Sequence, residues 1–213
     1  MLTFREFITE SEGKLKHLDH PEDNAIFSHA GFSHAFHALH DVHASLKGKA
    51  ATSKVSTKMD GSPSIVFGHH PETKKFFVAS KSAFNKNPKI NHTHEDIDKN
   101  HGHAPGLAHK LKQALDHLPK TTPKKGVYQG DFMHSHDDRE HTDTHVRFKP
   151  NTIKYSLHKD SEEGKKAAAS KIGVAVHTKY EGKTMDDMHA TPHVDHDAFK
   201  KHKDVHLISP EIK

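Results

Sequence analysis

The stretch STKMDGSPSIVFG, residues 56–68, passes within one phrase from an alternating polar run through a turn into a short strand. Gly61, Ser62 and Pro63 supply the turn chemistry, and Ile65, Val66 and Phe67 are the β-branched and aromatic residues that suit a pleated, buried surface. Upstream, TSKVSTKMDG (52–61) alternates with a period of two. Downstream, HHPET (69–73) reads as a hairpin loop leading into a second strand in KKFFVAS (74–80). Adjacent strands joined by a short loop pair antiparallel, so this region predicts an antiparallel sheet.

Working outward, NAIFSHAGFSHAFHALHDVHASLK (24–47) places Phe32, Ala35, Phe36, Leu39, Val42 and Leu46 at helical spacing. One stripe should face a core, with His34 and His37 off it and Gly48 closing the helix. The polar stretch 79–106, rich in Asn and ending in Pro-Gly, reads as a long loop. A second helix follows over 107–118, apolar at Leu107, Leu111, Leu115 and Leu118 and stopped by Pro119. GVYQGDFM (126–133) and IGVAVHTKY (172–180) read as strands, and EEGKKAAAS (162–170) as a helix. RFKPNTIKYSL (147–157) reads as a strand broken at Pro150, which cannot sit in a central strand. Helices alternating with hairpin-connected strands predict an α+β fold with an antiparallel sheet core and flanking helices. The expected organisation is a decapeptide (1–10), a helical segment (11–50), a core (51–182) and a polar tail (183–213) that reads as truncated.

Composition limits the chemistry. The 213 residues contain no cysteine, which removes disulfides, thiolate catalysis and every cysteine-based zinc pattern. Leu, Ile, Val and Phe make up about a fifth of the chain, so the core should be thin. No apolar run reaches the roughly 20 residues that span a bilayer, and no membrane partner is expected. The formal charge is +4 with 26 histidines counted neutral. At that frequency chance alone gives about three His-x-His pairs, and three occur, at 92/94, 101/103 and 134/136. The histidines therefore read first as polar surface residues. His134 and His136, followed by Asp137 and Asp138, are the metal candidates. Below the ordinary imidazole pKa of about 6.5, the histidines would add positive charge and favour phosphates.

Lys58-Met59-Asp60-Gly61 carries the chemistry. A lysine attacks a phosphoanhydride when it is partly neutral, as burial or neighbouring cations can make it. Gly61 allows close approach of backbone to a phosphate and Pro63 stiffens the turn. The same four residues also make an ordinary turn between strands. With its neighbours the phrase says more. Lys-x-Asp-Gly before a strand resembles the first motif of the covalent nucleotidyltransferases, namely ATP-dependent DNA ligases, RNA ligases and mRNA capping enzymes. VYQGDFM (127–133) looks like their third motif, with Asp131 in place of Glu. The run from residue 17 to 182 resembles a tailed-phage family viewed as ligase-like.

The resemblance implies the adenylation-domain fold of nucleic-acid ligases, with Lys58 as nucleophile forming a lysyl-AMP intermediate. It implies that Asp60 and Gly61 shape the turn, that Lys81 in ASKSAFNK (79–86) contacts phosphate, and that Asp131 contacts ribose or a metal-bound water. ATP and Mg²⁺ are the implied cofactors, and DNA or RNA ends the implied partners. Two features depart from that pattern: no Glu-Gly-x-x-x-Lys phrase occurs, and no convincing final Lys-x-Lys phrase follows residue 182. The first ten residues, MLTFREFITE, read bare as a short amphipathic helix. They also resemble phage capsid-targeting peptides, with Ile8-Thr9-Glu10 as the cleavage phrase. That implies a head maturation protease as partner, and a location in the host cytoplasm and the phage capsid interior. Two other functions are open to the same residues: an internal head protein that binds DNA without chemistry, favoured by a sequence pI of about 9.0, and a histidine-rich metal-binding protein.

Overall fold

A computed structural model describes residues 23, 25–26, 28–49 and 56–210. The chain divides into two compact units, with the second running from Lys58 to Pro210. The decapeptide and residues 51–55 lie outside the described residues.

In the first unit, α1 spans His29–Leu46. Ser28 caps it by accepting from the Gly31 amide at 2.9 Å. Gly48 follows at φ 69°, a backbone that glycine adopts without cost. The helix forms where its spacing predicts, but its apolar stripe is not a buried face. Phe32, Phe36, Leu39, Val42 and Leu46 are exposed, and Ala35 is the one residue of the helix that is buried.

The second unit is built on a six-stranded sheet. Its strands are β1 (Ser64–His69), β2 (Phe76–Ala79), β3 (Val127–Ser135), β7 (Ile172–Glu181), β8 (His189–Thr191) and β9 (Val205–Ile208), in the order β2-β1-β3-β7-β8 with β9 also on β7. Every pairing is antiparallel except β7 with β9, which is parallel. The sheet is therefore mixed, and the all-antiparallel expectation is corrected at that edge. β4 (Arg139–His141), β5 (His145–Phe148) and β6 (Tyr155–His158) form a separate antiparallel sheet. Pro150 lies in the turn between β5 and β6, where its missing amide donor costs no ladder bond. The α+β class holds, with four α-helices among the described residues.

Strand alternation sorts the core. Ile65, Phe67, Tyr128, Phe132, Val174 and Val176 point to one face and pack with Ile97 of α2 (His94–His101) and with Ala108, Leu111 and Ala114 of α3 (Pro105–His117). The stretch read as a long loop thus contains α2 and a 3-10 turn at Lys81–Phe84. The short helix is held by a capping box: the Asp96 amide donates to Thr93 Oγ1, and the Asp96 carboxylate accepts from the Thr93 and His92 amides. Those amides hold the Asp96 carboxyl below the usual range. Thr93→Ala is expected to cost about 1 kcal/mol, read as a lower urea midpoint.

Two expectations fail for identifiable reasons. Residues 57–61 form no strand; Gly61 instead packs onto Asp131, Phe132 and Met133 in the middle of β3. The tail is part of the fold: Met185, Met188, Phe199 and Val205 are buried, and β8 and β9 join the sheet. Its four apolar anchors are spread too far apart to show any periodicity.

Candidate functional site

The second face of the main sheet carries two apolar clusters with polar residues between them. Val66, Phe77, Ala79, Val127 and Tyr180 belong to one cluster, and Met133, Ala175, Val146 and Phe148 to the other. Alternation along β1 and β3 places Ser64, Gln129 and Asp131 on this same face. Gln129 is fixed at both ends: its Nε2 donates to Ser64 Oγ at 2.9 Å and its Oε1 accepts from the Tyr180 hydroxyl. Burial raises the pKa of that hydroxyl, so it remains a donor.

The Lys58–Gly61 segment lies against this row. A Cβ on Gly61 would stand 2.5 Å from Asp131 Cβ and 2.7 Å from Met133 Sδ. The turn is fastened to β3 by two backbone bonds, Ser62 N to Phe132 O and Phe132 N to Pro63 O, both 3.0 Å. On its other side Asp60 is held by the β5–β6 turn. Its carboxylate accepts from Asn151 Nδ2 at 2.7 Å and from the Thr152 and Ile153 amides at 2.9 and 3.0 Å. Its own amide donates to the Tyr155 hydroxyl at 2.7 Å. The Asn151 hydrogen bond, followed by the Ile153 amide, holds the Asp60 carboxyl below the usual range, with Lys58 adding attraction. Lys58, two residues before this clamp, is exposed.

The structure thus sets the turn that carries Lys58, Asp60 and Gly61 against Asp131 in the middle of β3, with Gly61 making the contact. Lys81 is exposed and opens the 3-10 turn, which packs on the same face through Ala83 and Phe84; the Phe84 and Tyr180 ring centroids are 4.5 Å apart. Asn151, Tyr155, Gln129 and Ser64 were not legible as site residues. Asp60 and its partners are separated by 91 to 95 positions, and no local spacing encodes that.

His134 and His136 are not brought together. His134 is fully buried, and its Nε2 donates to His206 Nδ1 at 3.2 Å, while His206 Nε2 donates to Glu163 Oε2 at 2.6 Å. This order of donors follows from the carboxylate, which only accepts. His136 lies beyond the end of β3, exposed and 2.9 Å from Asp137. A pair two residues apart shares a face only while the strand continues, and β3 ends at Ser135. Among the described residues no group of three or more His, Asp or Glu side chains is placed to hold a metal ion. Among the same residues no helix is long and apolar enough to cross a membrane.

Residues 15–213 match the sequence profile of a family of unknown function, DUF6267. No curated protein and no solved structure matches the chain.

Proposed function

The chain belongs to the DUF6267 family, and we propose that it is a ligase-like nucleotidyltransferase in which Lys58 takes AMP from ATP and passes it to a nucleic-acid end. One observation carries this reading: Gly61 is packed without a gap against Asp131, which sets the turn that follows Lys58, the potential nucleophile, against a carboxylate on β3. An ordinary connecting turn has no need of that contact or of the four-bond clamp on Asp60.

Lys58 Nζ, having released a proton to solvent, forms an N–P bond with the α-phosphorus. The α–β phosphoanhydride P–O bond breaks and pyrophosphate leaves. A terminal 5′-phosphate oxygen then attacks the same phosphorus, the N–P bond breaks, and the lysine amine is restored as AMP moves to the end. Mg²⁺, when bound, neutralises the phosphate oxygens. A single carboxylate such as Asp131 together with substrate phosphates is the usual ligand economy for that ion. Asp60 holds the turn in place, and Lys81 supplies positive charge for phosphate at the other end of the face.

The test is incubation with radiolabelled ATP or GTP and Mg²⁺. Label that survives denaturation but not acid, on wild type and absent from Lys58→Ala, is the expected result and names the nucleotide. No label on either protein overturns the reading and leaves a fold used for binding alone.

A further inference from the structure

Where β7 passes Asp131, its register is broken. Gln129 pairs with Thr178 and Gly130 pairs with Val176, leaving His177 as an extra residue with no partner on β3. A bulge of this kind turns neighbouring side chains toward one face, and bulges gather where a side chain must be re-aimed. The consequence here is visible in hydrogen bonding: His177 Nδ1 lies 2.8 Å from the Oγ1 of the next residue, Thr178. In a regular strand those two side chains would point to opposite faces. The other ring nitrogen, Nε2, lies 3.6 Å from Asp131 Oδ1, with Asp131 largely shielded and His177 one third exposed.

The chemistry of these groups fixes their roles. An ionised carboxylate only accepts, so Nε2 must carry the proton it presents to Asp131. Nδ1 of the neutral ring is then an acceptor, and Thr178 is its donor. We propose that His177 is a positioning residue of the Lys58–Asp131 site, holding the Asp131 carboxylate for a phosphate-bound divalent cation. This rests on the reading of the site given above. The 3.6 Å separation is longer than a hydrogen bond and closes when the ligand arrives, as such contacts commonly do. Thr178 and the bulge set the ring's direction and tautomer, as second-layer partners do for metal-binding carboxylates.

Two measurements test it. Nitrogen-15 spectra of the histidine rings of the full chain, at mildly alkaline pH, should show His177 protonated on Nε2. The opposite tautomer, with Nδ1–H donating to Thr178, overturns the proposal. In the labelling reaction, His177→Ala should raise the Mg²⁺ concentration needed for half-maximal rate roughly tenfold, and His177→Asn, which keeps a donor, should restore part of it. In an Asp131→Asn background the same His177→Ala change should alter the rate less than about twofold, because the partner it acts through is gone. Additive effects of the two substitutions overturn the proposal. A wild type that takes no label at all overturns the nucleotidyltransferase reading instead, and the ring tautomer then decides the His177–Asp131 contact separately.

Discussion

Gly61→Ala is expected to lower the stability of the second unit by about 1–3 kcal/mol and to slow nucleotide labelling by roughly tenfold or more. Its Cβ would stand 2.5 Å from Asp131 Cβ, 2.7 Å from Met133 Sδ and 3.1 Å from the Phe132 carbonyl oxygen. The methionine sulfur can swing aside. Asp131 Cβ and the Phe132 carbonyl are fixed by the β3 backbone in the middle of the sheet, so the turn itself has to move. Moving it stretches the two bonds that join Ser62 and Pro63 to Phe132, and it shifts the turn that carries Lys58 relative to β3. A shift near 1 Å in a reacting group is enough to cost on the order of a hundredfold in rate. Gly106→Ala is the matched control: it lies in α3 with nothing within 4 Å of an added Cβ, so the change should be neutral or stabilise by up to about 1 kcal/mol. Equal urea midpoints for Gly61→Ala and wild type would show that the turn does not bear on β3 as described.

That contact also shows what the sequence could convey. β1 and β2 are legible from the strand-loop-strand pattern around 64–79, and α3 from its leucine spacing, because both signals are local and periodic. β7 and β3 are legible as strands, but not their partners. The parallel edge formed by β9 depends on pairing Ile172–Ala175 with Val205–Ile208, which no nearby turn dictates. α2 was missed because HEDIDKNH has a single apolar residue, Ile97, and too little stripe to reveal a period; its capping box was the available signal. Lys58, Asp60 and Gly61 stand out as a turn suited to phosphate chemistry, and Asp131 only through the resemblance of VYQGDFM to a nucleotidyltransferase motif. Their juxtaposition was invisible, as were the Asn151–Tyr155 clamp and the bulge at His177, because sheet register and loop docking are set by the packing of distant residues.

Acid should destabilise the second unit well before its carboxylates titrate, and His134 is the main reason. Burial, with His206, Arg139 and Lys110 contributing like charge, lowers its pKa to about 2. Burial also lowers that of His206 against the opposing pull of Glu163, while Lys166 adds to the depression. Glu163 stays ionised because its bonds from Lys166 and His206 outweigh its own burial. The Nδ1 of His134 is buried and makes no hydrogen bond, so a proton added there would find no acceptor. The unfolded chain binds protons at this ring below about pH 6.5 and the folded chain does not, so stability is full above 6.5 and falls as pH drops toward the folded value. At pH 5 the loss from His134 alone is about 2 kcal/mol. The depressed carboxylates, among them Asp60 and Asp96, lose their contribution only as pH falls below the ordinary carboxylate range. The interval from pH 7.5 to 5 therefore isolates the imidazoles. His134→Gln keeps an amide donor for His206 Nδ1 and removes the titrating ring. It should flatten the change in unfolding free energy across that interval by about 2 kcal/mol, whatever its effect on stability at pH 7.5. An unchanged slope in urea titrations at the two pH values would mean that His134 is protonated in the folded chain, and that the His134–His206–Glu163 order of donors is wrong.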